Sequence, residues 1–229
     1  MNPYSHLAIA RQLEKEIKPA VPVDYYWGAV APDIRYIAGR RRHTTHIRPE
    51  RILRFFSKYP YLDSFIRGYL VHCLADDVDL YSLVEQRVLL QPILYGASGR
   101  FVPLLIEAFY LERMPVKIEF SGTPNEMLRE LGIEDRHSDT FAGIIRPFAS
   151  APSLDSGFEF LRVLRKGDAR VERYIRSAKL LNNNNLLKPI LFAMADLNKL
   201  NAQVLDQVRG AEAFKRACNS PGFPHQAAH

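Results

Sequence analysis

Cysteine is scarce in this sequence, and long apolar runs are missing from it. The 229 residues include only Cys73 and Cys218, which fit reduced thiols better than a disulfide framework and exclude a multi-cysteine zinc finger. No apolar run is long enough to span a bilayer. The first residues lack the basic start and the apolar core of a signal peptide, so we expect a cytoplasmic protein with reduced thiols.

Alternation of apolar and polar residues, which marks half-buried strands, is also rare. The one weak candidate strand is Val116–Phe120, whereas helical spacing of apolar residues recurs along the chain. Apolar residues make up 47% of the sequence, enough for a sizeable core. We therefore expect one all-α domain over residues 1–220, followed by a disordered tail over residues 221–229.

Caps and helical spacing predict where the helices lie. Asn2-Pro3 resembles an N-cap followed by proline at the first helical position, and Pro19 ends that helix. A long helix is expected from about Ser64 to a point before Pro92, with Gly68 allowing another helix to approach closely. Further helices are predicted over residues 49–57, 102–112, 125–131, 139–148, 156–165, 169–181 and 186–208.

Positive charge is concentrated in one stretch of the chain. The net charge is +6 overall, yet Ile34–Tyr59 contains eight Arg or Lys residues against the single acid Glu50, a local charge of +7. Such a stretch attracts phosphate-bearing partners, either a small molecule or a lipid headgroup. The alternative is a solvated face without a partner, but His46 lies inside this stretch and favours a functional role.

His72 and Asp76 are four residues apart in the long predicted helix. This spacing places both side chains on one face, one turn apart, where they can reach the same ion. The neighbouring residues are apolar, so we expect Asp76 to be buried and to need a cation or strong hydrogen-bond donors. A metal ion and an arginine are both open as that cation.

Three other residues are candidate ligands. His6 lies on the inner face of the first predicted helix, and Asp33 follows Pro32 at the end of an apolar stretch. His46 follows Thr45, and His43 is interpreted as a loop residue. Each has an ordinary alternative, a core histidine or a turn aspartate. The order and spacing of all five candidates together indicate a metal site.

Four blocks of the sequence resemble the zinc-dependent phospholipase C family, which shares its helical fold with the single-strand-specific zinc nucleases. The resemblance covers about the first 80 residues and is specific because four separate blocks occur in the same order as in the family. The blocks are His6-Leu-Ala-Ile-Ala, Gly28-Ala-Val-Ala-Pro-Asp33, Thr45-His46 and Gly68-Tyr-Leu-Val-His72-Cys-Leu-Ala-Asp76.

The resemblance implies a helical protein that binds metal and cleaves phosphodiesters or phospholipids. It implies that the metal ligands are His6, Asp33, His46, His72 and Asp76. It also implies that Asp33 is a candidate general base. One or two zinc ions fit this ligand set, and iron or manganese would also suit it. Arg40, Arg41 and Arg42 are then expected to bind phosphate beside the metal.

Departures from the family leave two alternatives open. The family has a second helical histidine–glutamate pair, but after His72 this chain has only His137, His225 and His229, and Phe141 lies four residues after His137. A non-catalytic metal-binding protein of the same fold is therefore the alternative to a phosphoesterase. A nucleic-acid-binding protein that uses Arg35 to Lys58 ranks last, because no recognised nucleic-acid module accompanies the charge.

Overall fold

The computed structural model describes residues 3–79, 101–114, 117–164, 169–183 and 196–219. Within these ranges it is mostly helical and has no β-strand, which confirms the all-α prediction and makes the predicted strand wrong over residues 117–120. The α-helices are α1 (Pro3–Ile17), α2 (Pro22–Gly28), α3 (Arg42–Thr45), α4 (Pro49–Lys58), α5 (Asp63–Asp76), α6 (Phe101–Arg113), α7 (Glu126–Glu130), α8 (Asp135–Ser150), α9 (Leu154–Leu164), α10 (Ala169–Asn182), α11 (Leu197–Gly210) and α12 (Glu212–Asn219). Two 3₁₀ turns cover Ala31–Tyr36 and Pro60–Leu62. No described helix is both long and apolar enough to cross a bilayer.

Helix α5 is the most enclosed element. Every residue from Asp63 to Ala75 is buried, because α1, α2, α4, α11 and α12 all pack against it. The helix starts one residue before the predicted N-cap, Ser64, and ends at Asp76, whereas the apolar pattern predicted a continuation toward Pro92. Residues 80–100 lie outside the described part of the chain. The enclosure keeps one face of α5, with His72 and Asp76 at its end, inside the protein.

Two glycines allow α2 and α5 to cross with their backbones in contact. A Cβ added at Gly68 would lie 1.8 Å from the carbonyl oxygen of Tyr25, and one at Gly28 would lie 2.0 Å from that of Phe65. Side chains at either position would force the helices apart. The close approach predicted for Gly68 is therefore confirmed, and it places the backbone after α2 directly beside His72.

A buried arginine ties the ends of three helices together. The guanidinium of Arg67 in α5 donates to both carboxylate oxygens of Asp63 and to the carbonyl oxygens of Ile17 and Ala217. Carbonyl groups at helix ends lack helical partners, so a buried cation there stabilises them. This contact links α1 and α12 to α5 on the far side from Asp76.

Aromatic packing joins the later helices to the first third of the chain. Trp27 in α2 stacks on Phe120, contacts Phe141 of α8, and donates a hydrogen bond to the carbonyl oxygen of Thr123. A single cluster of buried apolar side chains runs from α1 to α12. The helix α12 was not predicted, and the predicted tail over residues 221–229 lies outside the described residues.

Candidate metal centre

The pair predicted from helical spacing lies at the end of α5. The Nε2 atom of His72 is 3.9 Å from Oδ2 of Asp76, and the His72 side chain is completely buried. Only 5% of the Asp76 side chain is exposed. The two side chains therefore face the same point inside the protein.

The ring of His72 is held in one orientation by the backbone. Its Nδ1 lies 2.8 Å from the carbonyl oxygen of Ala29, which follows α2 at the glycine crossing. A carbonyl oxygen only accepts, so Nδ1 carries the proton and donates it. The lone pair of a neutral His72 is then on Nε2, the atom that faces Asp76. This is the arrangement in which metal-binding histidines are commonly found.

His46 meets the pair from the segment that follows α3. Its Nε2 lies 3.0 Å from Oδ2 of Asp76 and 3.1 Å from Nε2 of His72. Its Nδ1 is 3.2 Å from Oγ1 of Thr45, which can donate in turn to the carbonyl oxygen of Arg42. In that arrangement the Thr45 hydroxyl oxygen accepts a hydrogen bond from Nδ1–H, and the lone pair of a neutral His46 is on Nε2, the atom that faces His72 and Asp76.

His6 contributes a third imidazole from α1. Its ring stacks on that of His72 with centroids 3.7 Å apart, and its Nε2 lies 3.3 Å from Oδ1 of Asp76. Among the described residues, neither ring nitrogen of His6 has a hydrogen-bond partner of acceptable geometry, although both nitrogens are buried. Buried polar atoms without partners are destabilising, and an ion bound to Nε2 of His6 would satisfy that nitrogen.

Asp33 completes the set. It lies in the 3₁₀ turn Ala31–Tyr36, where Pro32 sets the backbone angle, and it is 6% exposed. Potential ligand atoms of His6, Asp33 and His72 all lie within 4.8 Å of one another, as do those of His46, His72 and Asp76. The five residues predicted as ligands therefore converge, with His72 common to both groups.

The protonation states also suit metal binding. Burial lowers the pKa of His6 and holds the pKa of His72 well below its ordinary value, so both rings are neutral near pH 7. Burial alone would raise the pKa of Asp76, but the neighbouring His6 and His46 side chains outweigh it and hold the pKa of that carboxyl below its usual range. Neutral imidazoles and an ionised carboxylate are the forms that bind zinc.

Two of the three separations among the ligand atoms of His46, His72 and Asp76 match those around a bound metal. Zinc bonds of about 2.0–2.1 Å place neighbouring ligand atoms roughly 2.9–3.4 Å apart in octahedral or tetrahedral arrangements. Nε2 of His46 lies 3.0 Å from Oδ2 of Asp76 and 3.1 Å from Nε2 of His72, whereas the latter two atoms are 3.9 Å apart. In the tautomers with both Nδ1 atoms protonated, the Nε2 atoms of neutral His46 and His72 would repel each other at this distance unless a cation lay between them. The donor set therefore fits an ion.

The three arginines predicted to bind phosphate have different surroundings. Arg42 places Nη1 at 2.8 Å from Oδ2 of Asp76. Arg40 instead donates to the carbonyl oxygen of Gly132, 3.0 Å away, and Arg41 is exposed as the N-cap residue of α3. The structure thus brings one of the three arginines to the cluster.

Two further groups near the cluster were not predicted. Nε of Arg35 lies 3.8 Å from Oδ1 of Asp33. Glu107 of α6 accepts hydrogen bonds from the backbone N–H groups of Tyr4 and Ser5 and from the Ser5 hydroxyl, immediately before His6. Glu107 caps the first turn of α1 from a position 102 residues away, so local sequence carries no signal for it.

Comparisons with protein-family models, with curated proteins and with solved structures found no match to this chain.

The site consists of three imidazoles and two carboxylates drawn from α1, the 3₁₀ turn, the segment after α3, and α5. A half-exposed arginine lies on the outer side of one carboxylate. Such a set can hold a divalent ion and present a cation to an anionic ligand.

Proposed function

We propose that this protein is a metal-dependent phosphoesterase that hydrolyses a phosphodiester or a phospholipid, with a helical fold like that of the zinc-dependent phospholipase C family. The convergence of His6, Asp33, His46, His72 and Asp76 carries the proposal. These residues come from four separate segments, so local sequence spacing alone does not account for their meeting. Zinc is the favoured cofactor, and manganese or iron would suit the same donors.

The donors divide naturally between two ions that share Asp76. His46, His72 and Oδ2 of Asp76 would hold one ion, and the separations of 3.0 and 3.1 Å from Nε2 of His46 to the other two atoms support that grouping. His6 and Asp33, which are grouped with His72, would hold the other together with Oδ1 of Asp76, which is 3.3 Å from Nε2 of His6. His72 serves only one ion, because its Nδ1 is engaged by Ala29.

Bound divalent ions would lower the pKa of a water molecule and polarise a phosphoryl oxygen. The protein supplies the remaining functions. Asp33 is the candidate base because its carboxylate is slightly exposed beside His6 and His72. Arg42 offers a guanidinium on the solvent side for the phosphate. The phosphate-bearing substrate thus meets both a base and a cation of the chain itself.

Hydrolysis of bis(p-nitrophenyl) phosphate by metal-loaded protein tests this function. Replacement of His72 by Gln should weaken metal binding by at least ~100-fold, more than is usual for a residue that only supports a ligand, and abolish hydrolysis. The half-buried His137, outside the cluster, provides the matched control His137→Gln, which should retain activity. An absence of hydrolysis with zinc or manganese would refute the proposal, and unchanged hydrolysis by Asp33→Asn would refute the role of Asp33 as base.

A non-catalytic metal-binding protein is the second candidate, and the burial of the cluster favours it. His6 and His72 are at most 1% exposed, and the side chains of His46 and Asp76 are 6% and 5% exposed. Closed sites of this kind are typical of structural metals. One tightly held ion per chain without hydrolysis would indicate this function, whereas two ions with hydrolysis would indicate the enzyme.

A further inference from the structure

Arg42 lies between the buried cluster and solvent. Its Nη1 is 2.8 Å from Oδ2 of Asp76, and its own side chain is 49% exposed, whereas that of Asp76 is 5% exposed. The guanidinium therefore covers the outer side of a carboxylate whose inner side faces the histidines. Its position at the first residue of the short helix α3 leaves the long side chain free to turn outward.

Arg35 lies near the other carboxylate, that of Asp33, and its own side chain is kept in place differently. Its guanidinium lies over the ring of Tyr36, 3.9 Å from the centroid, and its Nη2 donates to the Tyr36 hydroxyl. Nε of Arg35 is 3.8 Å from Asp33, and only 15% of the side chain is exposed. Arg35 is thus fixed by stacking, whereas Arg42 has the room to move.

The contact between Arg42 and Asp76 conflicts with metal binding. The oxygen that Arg42 contacts, Oδ2, is the one that lies 3.0 Å from Nε2 of His46. An ion held there would use this oxygen and would repel the guanidinium, because both carry positive charge. The displaced guanidinium would then face solvent beside the metal and would be available to an anion. Guanidinium groups bind phosphate oxygens in a paired geometry.

We propose that Arg42 exchanges partners: it neutralises Asp76 when the site is empty and binds the phosphate of the ligand once metal has displaced it. This inference rests on the proposed function, and it adds an order of binding, metal first and phosphate second. Metal and phosphate then strengthen each other's binding, since coupling between two ligands is reciprocal.

The exchange predicts opposite effects of one substitution on two ligands. Arg42→Gln removes a cation that competes with the metal, so zinc or manganese should bind as tightly as to the wild type or a few-fold more tightly. The same substitution should weaken phosphate binding to metal-loaded protein about tenfold to a hundredfold, the size expected for a charged hydrogen bond. If Arg42 had only a structural role, Arg42→Gln would weaken the binding of both metal and phosphate. Arg42→Lys keeps the charge and should recover part of the phosphate affinity.

Calorimetric titration of the full chain tests the exchange. The metal is titrated first, excess metal is removed by gel filtration, and inorganic phosphate or water-soluble dibutanoyl phosphatidylcholine follows. Arg40→Gln is the matched control, since the guanidinium of Arg40 contacts Gly132 rather than Asp76, and it should bind both ligands like the wild type. Metal-free protein should bind phosphate at least tenfold more weakly than metal-loaded protein.

The outcomes separate the inference from the function on which it rests. Loss of phosphate affinity in Arg42→Gln with metal affinity retained supports the exchange. If binding of the phospholipid depends on Arg42 in the same way, the ligand is a lipid headgroup. If only binding of inorganic phosphate depends on Arg42, the ligand is a free phosphate. Unchanged phosphate affinity in Arg42→Gln, or equal phosphate affinity with and without metal, overturns the exchange alone. Failure of wild-type protein to bind either metal overturns the proposed function, and the exchange with it.

Discussion

Replacing Gly68 by alanine should push α2 away from α5 and disconnect His72 from the carbonyl group that orients it. The new Cβ would lie 1.8 Å from the Tyr25 carbonyl oxygen, whereas real Cβ contacts are essentially never under 3.0 Å. The difference requires the backbones to separate by at least about 1.2 Å. A shift of that size along the hydrogen bond from His72 to Ala29 would lengthen it from 2.8 Å to about 4.0 Å. The hydrogen bond would then be lost.

The expected loss of stability has two parts and one offset. Overpacking in a close helix crossing costs typically ~1–3 kcal/mol. The buried Nδ1–H of His72, left without its acceptor, costs ~1–3 kcal/mol more. Alanine favours the helix over glycine by ~1 kcal/mol. The free energy of unfolding should therefore fall by about 1–5 kcal/mol, and the metal affinity should fall with it because His72 is no longer held.

Urea unfolding followed by circular dichroism, together with zinc titration, measures both effects. Gly143 in α8 is the matched control, because a Cβ added there would meet nothing within 4 Å. Gly143→Ala should raise the free energy of unfolding by about 0.5–1 kcal/mol and leave metal binding unchanged. If Gly68→Ala were as stable as the wild type and bound zinc equally well, the reasoning that links the glycine crossing to the site would be wrong.

Three further predictions concern pH, metal and buried charge. Burial raises the pKa of Glu107 from 4.5 to about 7, so the folded state holds this proton more tightly and the free energy of unfolding should decline by up to ~3 kcal/mol as the pH rises from 4.5 through 7. Glu107→Gln should remove that decline in urea titrations at several pH values. Chelation with EDTA should lower the Tm of metal-loaded wild type and not that of His72→Gln, because the ion binds only the folded chain. Arg67→Met leaves the buried carboxylate of Asp63 without its cation and should lower the free energy of unfolding in urea by about 3–5 kcal/mol. Arg209→Met breaks an exposed ion pair with Glu16 and should lower it by less than about 1 kcal/mol.

The sequence predicted which residues come together better than it predicted the limits of the helices. His72 and Asp76 share a face because the period of a helix requires it, and the meeting of these residues with His6, Asp33 and His46 followed from the order of four motifs. The end of α5 was misjudged because the apolar pattern continues past Asp76, where the structure turns. Helix α12 was missed because it is short and lies close to the end of the chain.

Long-range contacts account for what could not be predicted. Arg40 and Arg42 are two residues apart in one basic run, yet one contacts Gly132 and the other Asp76. Their different directions depend on where α3 begins and on where the loop after α7 lies, and neither is encoded locally. Glu107 reaches Ser5 only because α6 packs against α1. A count of charged residues in the sequence cannot distinguish the different surroundings of Arg40, Arg42 and Glu107.

Anomalous diffraction from crystals grown with zinc tests the central claim most directly, namely that His46, His72 and Asp76 hold a metal ion. The proposal predicts an anomalous peak about 2.0–2.2 Å from both Nε2 atoms and from a carboxylate oxygen of Asp76, with Arg42 turned away from that oxygen. A second peak beside His6 and Asp33 would indicate the two-ion site. Crystals grown with zinc that show no anomalous peak at these residues would contradict the claim.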